Sequence, residues 1–131
     1  SENEVMGSSS IRSSVETARD SLSDKIAYLT EFLGGEYERQ GVYPAWEYRK
    51  DSPLRDKMVE VYEEMYGQKP NVVAIHAGLE CGLFYKKMEG LDCVSLGPDM
   101  KDIHTSEEVL SISSTERVWK YLVKVLEALK E

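Results

Sequence analysis

Apolar residues recur along this chain in two rhythms. Ala18, Leu22, Ile26, Leu29 and Leu33 repeat every three to four positions, as one face of a helix does. Leu54, Met58, Val61, Tyr62 and Met65 form a second such series, and Val118, Leu122, Val125 and Leu129 predict the buried face of a last helix. Between them lie two short continuous apolar runs, Val72-Val73-Ala74-Ile75 and Cys93-Val94-Ser95-Leu96, which predict buried strands. Glu36 to Val42 alternates and reads as a strand with one solvated face. Residues 3–12 are serine-rich with Val5, Met6 and Ile11 interspersed, an extended segment or edge strand. Ser13 with Glu16 resembles a capping box, and Gly34-Gly35 is the stop of that helix. Ser52 and Pro53 open the second helix, while Gly67 and Pro70 close it. Ser113 with Glu116 predicts the start of the last one. Tyr43-Pro44-Ala45-Trp46 breaks the pattern as a linker, a short helix should run to about Met88, and Gly97 to Val109 predicts a long loop.

Helices alternating with apolar strands from 52 onward predict an α/β layer with a partly parallel sheet. Residues 1–43 read instead as a strand-helix-strand unit. The 131 residues suffice for a modest core. Their net charge of −8, without a basic patch, argues against nucleic acid as a partner. No apolar run is long enough to span a membrane, and the first residues lack the basic start and apolar stretch of a signal peptide. Two cysteines, Cys81 and Cys93, suit a reducing cytosol better than a disulfide framework. A cytoplasmic protein is therefore expected.

Candidate chemistry concentrates in two segments. His76-Ala77-Gly78-Leu79-Glu80-Cys81-Gly82 follows one apolar run and precedes another, Leu83-Phe84-Tyr85, so a strand should enter a tight glycine turn and then a helix. Such a turn points backbone N–H groups outward, where they can hold an anion such as a carboxylate. Gly78 can serve the backbone alone, or let a substrate approach it. Glu80 reads equally as a helix-start carboxylate favoured by the dipole or as a partner for an amino group. His76 reads as structural, at the strand end. The second segment, Ile103-His104-Thr105-Ser106-Glu107-Glu108, follows Ser95-Leu96-Gly97-Pro98 and carries a lone histidine among carboxylates. By itself His104 is a surface loop residue, since one histidine makes no metal site. Arg12, between a strand and a helix, is by itself a solvated charge. A Cys81–His76 nucleophile pair is set aside, because neighbours in sequence do not establish geometry.

Taken together, Arg12-Ser13-Ser14-Val15, Tyr43-Pro44-Ala45-Trp46, Asp51-Ser52-Pro53-Leu54, the HAGLECG spelling at 76–82 and the His104 loop resemble aminoacyl-histidine dipeptidase (Xaa-His dipeptidase), a di-zinc peptidase of the carnosinase and carboxypeptidase G type. The resemblance implies a zinc-peptidase catalytic layer preceded by part of an α+β lid. Residues 1–43 would be the end of the lid or dimerisation domain, and 44–131 the C-terminal return of the catalytic domain. It further implies that His104 ligates one of two zinc ions, and that Arg12, Gly78 and Glu80 contact a dipeptide substrate. Family enzymes are far longer, and their remaining metal ligands and general base have no counterpart motif here. Two ions held about 3.5–4 Å apart need more than one ligand. The chain is therefore expected to be a C-terminal portion, inactive alone, whose partner is the N-terminal part of the same enzyme. Uncovered strand edges imply homo-association. The competing expectation is a non-catalytic α/β binding or oligomerisation module.

Overall fold

The computed structural model describes residues 5–75 and 79–130. They form four helices and one two-stranded sheet: α1 (Glu16–Phe32), α2 (Pro53–Tyr66), α3 (Glu80–Lys87), β1 (Met100–Lys101), β2 (Val109–Leu110) and α4 (Ile112–Ala128). The chain divides into two compact units. Unit 1 joins Ser1–Tyr48 to Val73–Glu89, and unit 2 joins Arg49–Val72 to Gly90–Glu131.

Unit 2 is organised by α2 against α4. Met58 and Val61 from α2 meet Tyr121 and Val125 from α4, and Leu54, Tyr62, Met65, Val94 and Ala128 pack around them. The ring of Tyr121 stands edge-on to that of Tyr62, with centroids 5.4 Å apart. Its hydroxyl is buried with the ring and donates to the Met58 carbonyl at 2.6 Å. That bond removes the desolvation cost a buried hydroxyl would otherwise carry.

The start of α2 follows the sequence expectation. Ser52 is the N-cap, its Oγ accepting from the Arg55 N–H at 3.1 Å, and Pro53 occupies the first turn. Asp92, unremarked in the sequence, completes the cap. It accepts from the Ser52 hydroxyl at 2.7 Å and from the Leu54 N–H at 3.0 Å. Burial pushes the Asp92 carboxyl up, but these two hydrogen bonds and the charges of Arg49 and Arg55 outweigh it, so the group ionises below its usual range. Gly67 ends the helix at φ 68°, a left-handed position that suits a residue without Cβ.

The last helix begins at Ser111 rather than Ser113. Ser111 Oγ accepts from the Ser114 N–H at 3.3 Å, and Glu116, expected to cap, instead receives Lys120 at 2.6 Å. The earlier start shifts the inward face. Tyr121, Val125 and Ser114 are buried, Val118 and Leu122 are half-buried, and Leu129 is exposed.

Unit 1 is held by polar contacts. α1 buries Arg19 and Ser23, while Leu22, Leu29 and Leu33 of its apolar series stay exposed. Arg19 pairs with Glu16 at 3.1 Å and Asp20 at 2.9 Å, and donates to the Tyr43 carbonyl. Asp20 also receives Arg39, and the hydrogen bonds from Arg39 and Arg19 hold its carboxyl below the ordinary value. The expected capping box does not form. Val15 is the N-cap, Ser13 Oγ accepts from its N–H at 3.0 Å, and the Glu16 carboxylate faces Arg19 instead of turning back. Glu47 fills the vacancy by accepting from the Glu16 N–H at 3.2 Å. Gly34 and Gly35 close α1 as expected, donating to Glu31 and Thr30 carbonyls at 3.0 and 2.9 Å.

The segments 36–42, 71–75 and 93–96, expected as strands, carry no ladder among the described residues, and neither does 5–12, read as an extended segment or edge strand. The observed sheet is antiparallel, not parallel. A strand exists only beside another strand, and these segments have none within the described chain. Side chains hold 36–42 instead: Tyr37 bonds Ser23 at 2.7 Å and Arg39 bonds Asp20. Val94 turns its side chain to the α2–α4 core.

Two stability changes follow. Met58→Ala should cost about 2 kcal/mol, the low end for a buried methionine because this core is shallow, and Tyr121→Phe about 1 kcal/mol. Urea midpoints measure both. Asp92 is ionised more readily folded than unfolded, so its stabilisation is present above the ordinary aspartate pKa and is lost as pH falls through the lower folded value. Asp92→Asn should therefore shrink the drop in urea midpoint between about pH 6 and about pH 3.

Candidate functional site

His104 sits at the tip of a β-hairpin, where the sequence suggested a long loop. β1 and β2 pair with Met100 opposite Leu110 and Lys101 opposite Val109. The Ser111 N–H donates to the Asp99 carbonyl at 3.0 Å, and the Asp99 N–H donates to Ser114 Oγ at 2.8 Å. The first turn of α4 thus holds both legs of the hairpin. Strands of two residues are too short to show alternation, which is why the sequence did not reveal them.

Residues 102–108 form the tip, and two of them take left-handed backbone conformations: Asp102 at φ 51° and His104 at φ 69°. Each costs about 1–2 kcal/mol relative to the right-handed region, although Asp and His tolerate it better than most residues. A closed set of bonds offsets the cost. Thr105 donates to the Asp102 carbonyl through its N–H at 3.1 Å and its hydroxyl at 2.6 Å. The Glu107 N–H donates to Thr105 Oγ1 at 3.2 Å, and the His104 N–H donates to Glu108 Oε2 at 2.7 Å. His104 is exposed.

The glycine turn lies partly out of view: His76, Ala77 and Gly78 are outside the described residues. Glu80 is the first residue of α3 and is exposed. Cys81 is half-buried. Gly82, which the sequence reading passed over in favour of Gly78, is the buried residue of this helix. A Cβ there would stand 2.9 Å from the Pro44 carbonyl oxygen and 3.5 Å from the Trp46 Cβ. α3 and the Pro44-Ala45-Trp46 segment approach at this point closer than any side chain allows. The shared presence of both segments in the resemblance was the available signal.

Arg12 is exposed, with Nε donating to Ser10 Oγ at 3.4 Å. The buried arginine of unit 1 is Arg19. Arg12 and Glu80 belong to unit 1 and His104 to unit 2. Within unit 1, no hydrogen bond or ion pair among the described residues joins Arg12 to Glu80.

The zinc implied by the resemblance needs a set of converging donor side chains. No group of three or more His, Cys, Asp or Glu side chains that could hold a metal occurs among the described residues. His104 offers one imidazole, and a zinc centre takes three or four protein ligands. The described residues do not fit a complete metal site. Nor is any helix among the described residues long and apolar enough to cross a membrane.

No family model matches the chain. The cytosol non-specific dipeptidase of Escherichia coli (strain K12) is 34% identical over 116 residues, covering 88% of this chain and 24% of the relative. The crystal structure of aminoacylhistidine dipeptidase from Vibrio alginolyticus superposes with a TM-score of 0.72 at 36% identity, again covering 88% of this chain and 24% of that one. The chain spans about a quarter of the length of the relatives it matches. The resemblance read from the short motifs therefore extends through the fold: over most of its length this chain is similar, in sequence and structure, to one quarter of an aminoacyl-histidine-type dipeptidase.

Proposed function

We propose that this chain is the C-terminal portion of a zinc-dependent dipeptidase that hydrolyses Xaa-His-type dipeptides in the cytoplasm. The observation that carries the reading is the joint likeness in sequence and fold to two dipeptidases over 88% of the chain. Residues 1–43 would close the lid or dimerisation domain, and 44–131 would complete the catalytic domain. In this reading His104 contributes one metal ligand. Its exposure at the tip of a hydrogen-bonded hairpin supports this, because a ligand must be both accessible and fixed in direction. The remaining ligands and the general base belong to the rest of the enzyme, which is the partner this chain requires.

Arg12 and the Gly78 turn would grip the substrate carboxylate, and Glu80 would face its amino group. Arginine suits the first task, since its planar fork binds a carboxylate through two parallel hydrogen bonds. Arg12 is exposed, and among the described residues its Nε donates to Ser10 Oγ, which supports a guanidinium within reach of a ligand. Self-association is part of the same reading. Val72, Val73 and Ile75 are exposed, and an apolar segment without a strand partner among the described residues can recruit one from a second chain.

The isolated chain should show no dipeptidase activity, and zinc-dependent hydrolysis of a histidine-ending dipeptide by it alone would overturn the proposal. In the longer enzyme, His104→Ala should lower metal content and cut turnover by more than about 100-fold, since changes outside the ligand set already cost 10–100-fold. Arg12→Ala should instead raise KM by about 10–100-fold with kcat nearly kept, as loss of a charged hydrogen bond equal in ground and transition states does. Elemental analysis beside steady-state kinetics separates the two. Full metal content and normal turnover in His104→Ala would refute the ligand assignment.

A further inference from the structure

The hairpin tip contains two adjacent carboxylates, and the structure gives them different work. Glu107 points along the tip: the Ser106 hydroxyl donates to its Oε1 at 3.5 Å. Glu108 reaches back four residues and accepts the His104 N–H at 2.7 Å. Its own backbone is anchored at both sides, by its N–H to the Thr105 carbonyl at 3.3 Å and by the start of β2 at Val109. The residue it holds is one that departs from ordinary backbone geometry, at φ 69°. Backbone angles set the direction in which Cβ leaves the chain, so whatever fixes φ at residue 104 sets where its side chain starts and which rotamers can reach a ligand. A hydrogen bond to an ionised carboxylate is the strong kind, suited to holding a disfavoured conformation.

We propose that Glu108 is the positioning residue of His104. Its carboxylate locks residue 104 in the left-handed conformation and so fixes the Cα–Cβ direction from which the imidazole projects before any ligand arrives. Without it the residue relaxes toward the right-handed or extended regions that histidine prefers, and the ring leaves its line. The relevance of this aim rests on the reading of His104 as a site residue; the latch itself does not.

The test uses the isotope-labelled 131-residue chain, observed by NMR in four forms: unsubstituted, Glu108→Ala, Glu108→Gln and Glu107→Ala. The unsubstituted chain should show the carbon shifts of a positive-φ residue at His104 and slow exchange of its amide. Glu108→Ala should move those shifts to unstructured values and speed exchange of the His104 amide at least about tenfold. Glu108→Gln keeps an oxygen acceptor and should restore the pattern, and Glu107→Ala should leave it untouched. α4 resonances should stay fixed throughout. The proposal is overturned if Glu108→Ala leaves the His104 signals as they were, if Glu108→Gln fails to rescue them, or if α4 shifts along with the tip. His104→Ala in the longer enzyme asks whether the imidazole is used, while these spectra ask how it is held, so either idea can fail alone.

Discussion

The bond from the Tyr121 hydroxyl to the Met58 carbonyl joins the two helices on which unit 2 rests. Around it the four buried apolar side chains, Met58, Val61, Tyr121 and Val125, are the only ones in that class among the described residues. None of the described side chains is buried to below 2% exposure. A core this thin leaves little surplus over the entropy of ordering the chain. Direction must therefore come from polar contacts. Tyr121 supplies it within the core, Asp92 at the entry to α2, and Ser114 where α4 meets the hairpin. Unit 1 takes the same course: among its described residues the buried side chains are those of Arg19 and Ser23.

The candidate site inherits its geometry from this arrangement by a short path. α4 is placed by Tyr121 and Val125 against α2. Its N-cap, Ser111, is also the residue that follows β2, and Ser114 in its first turn accepts from Asp99 ahead of β1. Both legs of the hairpin are thus fixed to the end of a packed helix. The tip is then closed by Thr105 and Glu108, and His104 is presented from it. A ladder of two residues a side gives little direction by itself, and the bonds of Asp99 to Ser111 and Ser114 supply it from α4.

The sequence made the helices legible because each signalled itself locally. Ser52 and Pro53 wrote the start of α2, Gly67 wrote its end, and Gly34-Gly35 wrote the end of α1. Caps failed where a glutamate had a cationic partner one turn further along its own helix: Glu16 turned to Arg19 and Glu116 to Lys120. Strands were the least legible part. Val72 to Ile75 and Cys93 to Leu96 have strand composition, but composition is a statement about a surface to be paired, and the described chain pairs neither. At the site, HAGLECG and the His104 loop drew attention as motifs. The asymmetry between Glu107 and Glu108, and the need for Gly82 against Pro44, depend on which atoms meet, which spacing does not encode.

Amide hydrogen exchange across the whole chain, read helix by helix, tests most directly whether the α2–α4 pair is the body that carries the hairpin. Amides in α2 and α4 should be the slowest, should share one opening free energy, and should lose protection together when Tyr121 becomes Phe, whereas α1 and α3 should exchange faster throughout. Protection in α1 equal to that in α4, or α2 and α4 opening independently, would contradict the account.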